Sequence, residues 1–294
     1  MATPLPDLPL PDRPLPDRRP WHAGEEAARR AAGAPEIGPV IRTALSAQQR
    51  DFFARLPLVF VAGLDKAGHP AASLLHGAPG FLTCPEPHHM EIAARLPSGE
   101  RLLAQAGAPF ALIGVDFAAR RRNRVNGRIA EARAGGLDLA VEEAFGNCPK
   151  YIAPREIFSG GNDPGVWTEM PPDDAGLRAM IAKADVFFIA SRGPDGVDMS
   201  HRGGPPGFVR VGRDGVLQIP DFPGNNYFNS FGNLLHDPRA ALLFVDFPGG
   251  RALHLAGEAR VHLSIGERFW TFAPRAAWLL SAPQAFGAPS ATET

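Results

Sequence analysis

The sequence predicts a mainly β protein with flanking helices, α+β in class, whose strands form two similar barrels in tandem. Two observations carry this prediction. From Leu58 onward, short runs of β-forming residues alternate with Gly/Pro turns, as in closed antiparallel sheets that leave few free edges. The run of strands also occurs twice. Phe60-Val61-Ala62, a turn with Asp65 and Gly68, and Pro79-Gly80-Phe81-Leu82 return as Phe188-Ile189-Ala190, a turn with Asp195 and Gly196, and Pro206-Gly207-Phe208-Val209. Val115-Asp116-Phe117 returns as Val245-Asp246-Phe247, and the strand around Gly127 returns around Gly257. Order and spacing both persist, with shifts of 127 to 130 residues, so one β-domain reads as duplicated.

The elements follow from local signals. Pro4 to Pro20 is a proline-spaced repeat that favours extended backbone, so residues 1–20 are expected to be a disordered tail. Helices are predicted over 24–32 and 46–56, the second with Ser46 as N-cap and Gln49 completing a capping box. Strands are predicted over 59–62, 71–75, 80–83, 90–93, 110–117 and 122–129, with a turn at 65–68. A helix over 173–184 is expected to precede the second barrel. The expected units are an N-terminal barrel over 21–160, a C-terminal barrel over 173–282 and a second disordered tail over 283–294.

Charge and cysteine content narrow the function classes. Lys+Arg 30 against Asp+Glu 31 gives a net charge of -1, so no global basic field points to nucleic acid or an anionic membrane. Any anion site must be local. Two cysteines, Cys84 and Cys148, are too few for a disulfide scaffold, and with no apolar run of membrane-spanning length the expectation is a soluble cytoplasmic protein. Four asparagines lie between Asn225 and Asn233, after the strand bearing Ser200-His201-Arg202-Gly203-Gly204. Amide donors and free N–H groups at the start of a short helix ending near Leu235, with Arg202 supplying charge, suit a phosphate dianion.

In order, Asp195-Gly196, the Ser200–Gly204 run, Ile219-Pro220-Asp221-Phe222-Pro223-Gly224-Asn225-Asn226 and Asp237-Pro238-Arg239-Ala240 resemble the FMN split barrel of the pyridoxamine 5'-phosphate oxidase-like superfamily. From about Trp21 to Ala282 the chain is similar to the two-domain bacterial members. The further motifs are Trp21-His22-Ala23-Gly24-Glu25, the stretch Arg120 to Gly127 (RRRNRVNG) and Phe145-Gly146-Asn147-Cys148-Pro149-Lys150-Tyr151-Ile152. The resemblance implies two tandem FMN-binding split barrels forming a pseudodimer, with the flavin held where they meet. It implies phosphate-side contacts from Ser200, His201, Arg202, Asn225, Asn226, Asn229 and Asn233, and ring contacts from Arg122 and Asn123. Asn147 and Lys150 belong to a wall of the flavin region. The second half has Arg251-Ala252-Leu253 where the first has Arg121-Arg122-Asn123, so one composite site per chain is expected. The implied activity is electron transfer between FMN and a small-molecule substrate or redox partner. The alternative is a non-enzymatic flavin- or haem-binding module, and assembly as a homodimer is left open. The C-terminal Trp and Arg-Leu-His type signature of the vitamin oxidases is absent, so that particular activity is not implied.

Other chemistries find less support. Cys84, His88 and His89 have ligand chemistry but no second ligand pair at structural spacing. Cys148 has Lys150 two residues on, which could activate a thiol, but lies in the stretch read as a wall. No nucleophile elbow, His-Glu-x-x-His, phosphate loop ending in Gly-Lys or Gly-x-Gly-x-x-Gly after a strand occurs.

Overall fold

The structure, a computed structural model, describes residues 18–38, 41–146, 148–159, 161, 163–224, 226–264, 267–281 and 286–287. The first half runs β1 (Arg18–Arg19), α1 (Ala23–Ala31), β2 (Ile41–Arg42), α2 (Ala47–Ala54), β3 (Leu58–Leu64), β4 (Pro70–His76), β5 (Leu82–Glu86), β6 (His89–Ile92), β7 (Pro109–Asp116), β8 (Arg121–Arg133), β9 (Gly136–Gly146) and β10 (Phe158–Ser159). The second runs β11 (Val166–Met170), α3 (Ala175–Lys183), β12 (Val186–Arg192), β13 (Val197–Gly203), β14 (Arg210–Val211), β15 (Leu217–Pro220), α4 (Asn229–His236), β16 (Arg239–Asp246), β17 (Arg251–Ser264), β18 (Glu267–Ser281) and β19 (Phe286–Gly287).

Both halves use one topology. The first sheet contains the order β4-β3-β7-β8-β9 and the second β13-β12-β16-β17-β18, every pairing antiparallel. These are two tandem split barrels, mainly β with flanking helices. The repeated glycines have a common cause: register shifts by a bulge at Asn126/Gly127 and again at Ala256/Gly257. A Cβ on Gly127 would lie 2.0 Å from the Ala140 carbonyl oxygen, and one on Gly257 2.2 Å from that of Ala273, so neither strand can bend there with a side chain.

Burial explains why the central strands are apolar throughout and do not alternate with polar residues. On β3, Val59 and Val61 point into the first barrel while Leu58, Phe60 and Ala62 point to the second half. On β12, Phe187 and Ile189 fill the second barrel while Val186, Phe188 and Ala190 face the first. Three cores result, one inside each barrel and one shared. In the shared core, matching residues meet each other: Phe60 stacks on Phe188 at 3.6 Å between centroids and 17°, and Phe117 meets Phe247 edge-on at 5.3 Å. Contact between equivalent positions is what a pseudo-twofold axis requires.

The helices follow their signals. Ser46 caps α2 with the capping box to Gln49, and Asp174 caps α3 by accepting from the Leu177 N–H. Helix α1 precedes the first barrel but packs on the second, with Ala28 in that barrel's core and Gly24 against Gly232 of α4. A Cβ at Gly24 would lie 2.3 Å from the Gly232 carbonyl oxygen, so the two helices cross at backbone contact. Helix α4 has no helical counterpart in the first half. Of the expected N-terminal tail, residues 1–17 lie outside the described residues, whereas Arg18 and Arg19 pair with Arg42 and Ile41. Of the C-terminal tail, Phe286–Gly287 is described and pairs with Phe158–Ser159. Among the described residues, no helix is long and apolar enough to cross a membrane.

Phe60→Ala and Phe188→Ala are each expected to cost about 3–5 kcal/mol, the usual penalty for emptying a buried phenylalanine site. In a double-mutant cycle followed by chemical denaturation, the two losses should fall short of additivity by roughly 0.5–1.5 kcal/mol. Strict additivity would show that the two rings are not energetically coupled.

Candidate functional site

Strand β13 is an edge strand of the second sheet, and the first half packs against it. At the end of this strand a cavity of about 110 Å³ opens, bounded by β8 on one side and by β15 and the start of α4 on the other. Strand alternation sets what reaches it. On β8, Arg122 and Arg124 share one face and line the cavity, whereas Asn123 points to the opposite face, into a cleft with Arg42, Ser46 and Gln49. On β13, Ser200, His201 and Arg202 all line the cavity.

The wall is strongly cationic. Arg122, Arg124, Arg202 and Arg268 line it, with Asp221 the one carboxylate among the lining residues. Arg202 donates to Asp221 at 3.0 Å and Arg268 approaches the other Asp221 oxygen at 3.5 Å. Burial pushes the Asp221 carboxyl up while these two arginines draw it down, and burial prevails. Arg124 is held by Asp198 behind the wall. Arg122 has no carboxylate partner among the described residues; one of its terminal nitrogens lies 2.6 Å from His201 Nδ1. Burial and the neighbouring Arg202 and Arg124 charges pull the Arg122 guanidinium down to about 10, which leaves it cationic at neutral pH. Burial and the charges of Arg122, Arg202 and Arg155 hold the His201 imidazole well below its usual range, so it is neutral.

Five buried atoms on this wall have no hydrogen-bond partner among the described residues: Ser200 Oγ, His201 Nε2 and the Nε atoms of Arg122, Arg124 and Arg202. Buried polar atoms are normally satisfied, so a cluster of such atoms is suited to water or a polar ligand. The start of α4 adds to it. Its N-cap, Phe228, is left-handed at φ 59° and has no side-chain cap, and Asn229 and Ser230 of the first turn line the cavity.

The loop into α4 is braced from α1. Arg29 donates to the Asn226 carbonyl oxygen and, at 2.6 Å, to that of Pro35, and its guanidinium lies over Trp21, which packs on Tyr227. Glu25, wholly buried, accepts from the Asn229 side-chain amide and completes a capping box with His22. The Trp21–Glu25 motif, which sequence alone left without a role, is this brace.

Of the expected site residues, Arg122, Ser200, His201, Arg202, Asn226 and Asn229 come together on the cavity. Asn233 does not. It is buried between His22, Ser191 and Asp198 and ties α1 to β13. Lys150 is exposed and outside the lining, and Asn147 and Asn225 lie outside the described residues. Arg124, Asp221, Arg268, Tyr151 and Phe222 line the cavity without having been expected. The two-residue period of β8 could have found Arg124 from Arg122. Nothing local marks Arg268, which arrives from β18 through a long-range pairing with β15.

The equivalent place on the other side of the pseudo-twofold is filled by protein. Ser73 stands where Ser200 does, and His254 where Arg124 does, by their cross-strand partners. There Ser73 donates to Glu100 at 2.5 Å, Trp167 Nε1 donates to Glu100 at 3.3 Å, and His254 is enclosed between Trp167 and Trp278. Burial pulls the His254 imidazole down to about 3.

Residues 174–291 match the family model described as Pyridoxamine 5'-phosphate oxidase. The match covers the second half of the chain, whose topology is that of a split barrel. No curated protein matches it. Among solved structures it is similar to a NimC/NimA family protein from Clostridium acetobutylicum, at 14% identity over 38% of this chain and 91% of that one, TM-score 0.29. A FAD-binding protein from Mesorhizobium loti aligns at 8% identity over 40% and 99%, TM-score 0.30. The FAD binding protein from Mycobacterium smegmatis aligns at 9% over 39% and 97%, TM-score 0.27.

Because folded His254 resists protonation down to about pH 3, the unfolded chain takes up a proton below 6.5 that the folded chain does not. Stability therefore falls as pH falls through this window, by up to about 1.4 kcal/mol per pH unit for this residue. His254→Phe is expected to show the shallower acid-side decline when denaturation midpoints are compared from neutral to acid pH. Parallel declines would place His254 in an ordinary protonation state in the fold.

Proposed function

We propose that this chain is an FMN-binding flavoprotein that exchanges electrons with a small molecule or a redox protein, and that it holds one flavin per chain at the cavity between β8, β13 and α4. The observation that carries the reading is the set of buried donors without partners, on a wall of four arginines and one carboxylate, at the start of an uncapped helix. That chemistry suits a terminal phosphate, for which charge-assisted bonds from guanidinium and N–H groups are the strong ones. The match of the family model to this half supports it. A single terminal phosphate favours FMN over FAD.

Arg202, Ser200, His201 and the first turn of α4 would hold the phosphate, and Arg122 and Arg124 would face the remainder from the other half. The flavin, once bound, supplies two-electron chemistry, while the chain binds, orients and keeps water out. The cavity is smaller than the ~300–1,000 Å³ that encloses a drug-sized ligand. It would take the phosphate end, and Tyr151 and Phe222, which stack at 5.2 Å, are aromatic lining residues available to the rest of the ligand. The matching elements of 21–160 and 173–282 fit duplication of one barrel, with the second site closed by Trp167 and Glu100.

Mass spectrometry of heat-released ligand is expected to return FMN at one per chain; FAD at that stoichiometry, or no flavin after reconstitution, refutes the proposal. Arg202→Ala is expected to weaken FMN binding by roughly ten- to a hundredfold, the worth of a charge-assisted bond. Arg251→Ala removes a half-exposed arginine already paired with Asp246 at 2.6 Å and should change affinity little in the same titration.

A further inference from the structure

The contact between Arg122 and His201 fixes more than a distance. A guanidinium has donors only, so the His201 nitrogen 2.6 Å from it must be the acceptor. That nitrogen is Nδ1, which puts the ring proton on Nε2. Nε2 is the buried, partnerless atom on the cavity wall, and His201 as a whole is 8% exposed. The far side of the ring is packed edge-on against Phe188 at 5.6 Å, so its orientation is set from both sides.

From this geometry we infer that Arg122 is a positioning residue acting through His201: it locks the imidazole as an Nε2–H donor facing the cavity, and His201 thereby selects a hydrogen-bond-accepting oxygen of the ligand. The inference rests on the flavin reading only for the identity of that oxygen, which on this chain is a phosphate oxygen of FMN. The charged groups that bear on the ring are Arg122 from β8, Arg202 beside it on β13 and Arg155 from the segment after β9. All three disfavour an imidazolium, so the donor keeps its proton pattern as pH changes. A ligand group that offers only hydrogens there, such as an ammonium or an amide N–H, would meet Nε2–H donor to donor and be rejected, because a buried polar group left unpaired is costly.

The direct test is histidine nitrogen NMR on the whole chain without added ligand. Long-range proton–nitrogen correlations should show His201 with a bare Nδ1 and a protonated Nε2, unchanged from about pH 5.5 to 8, across the range where an ordinary histidine titrates. A protonated Nδ1, or titration inside that range, overturns the inference. The second arm is FMN titration of two variants. His201→Gln places an amide N–H near the position of Nε2 and His201→Asn near that of Nδ1, so the Asn variant should bind roughly tenfold or more weaker than the Gln variant. Equal losses overturn the assignment. If the wild-type chain takes up no FMN, the cofactor reading fails, and the NMR arm still decides the tautomer.

Discussion

The contact on which the rest of this structure depends is the shared core between the two halves. Strands β3 and β12 are apolar on both faces, so neither barrel can keep its outer face in water, and each covers the other. Phe60 on Phe188 marks the axis of that contact. The cavity of the candidate site is a by-product of the same contact: it lies where the edge strand β13 of one sheet meets β8 of the other, and neither half alone supplies its wall. Exact symmetry would give two such cavities. Among the described residues one is open, because the equivalent place is filled by Glu100 and Trp167 around Ser73.

Burying several arginines together is costly unless each is paired or a ligand completes the set. Here pairing is partial by construction. Asp198 holds Arg124 from behind, Asp221 is shared between Arg202 and Arg268, and Arg122 leans on a neutral imidazole. The surplus positive charge sits in a site closed off by Phe228, Phe231 and Phe208, where an anion is worth more than it would be in open solvent. A chain whose overall charge is -1 can thus concentrate a local positive field without becoming a general polyanion binder.

Much of this was legible in the sequence, for identifiable reasons. The doubled pattern, the Ser46 and Gln49 capping box and the strand runs are local or periodic signals, and they locate the barrels. Ser200, His201 and Arg202 were legible as a Ser-His-Arg-Gly-Gly run on a predicted strand, ahead of the asparagine-rich stretch. Asn123 was grouped with Arg122 by counting back from Gly127 to the paired polar positions that the resemblance implies, but neighbours on a strand face opposite ways. Asn233 belongs to the asparagine-rich stretch but turns inward, because one helical turn beyond Asn229 it meets His22 and Asp198 and not the cavity. Arg268 and the bracing role of Glu25 and Arg29 depend on which distant segments pack together, which no window of sequence displays.

The brace from α1 to α4 also bears on how the protein comes to be folded. The bonds that complete it join residues 197, 204 and 211 positions apart: Arg29 to Asn226, Glu25 to Asn229 and His22 to Asn233. Each closes a loop containing the whole first barrel and the part of the second that precedes β16. Contacts of such separation carry a large loop-closure entropy until intervening structure brings their ends together. Helix α1, the first helix among the described residues, has its crossing partner Gly232 more than two thirds of the way along the sequence. The loop that brings Asn226 and Asn229 to the cavity is therefore braced only once two segments from opposite ends of the chain have met.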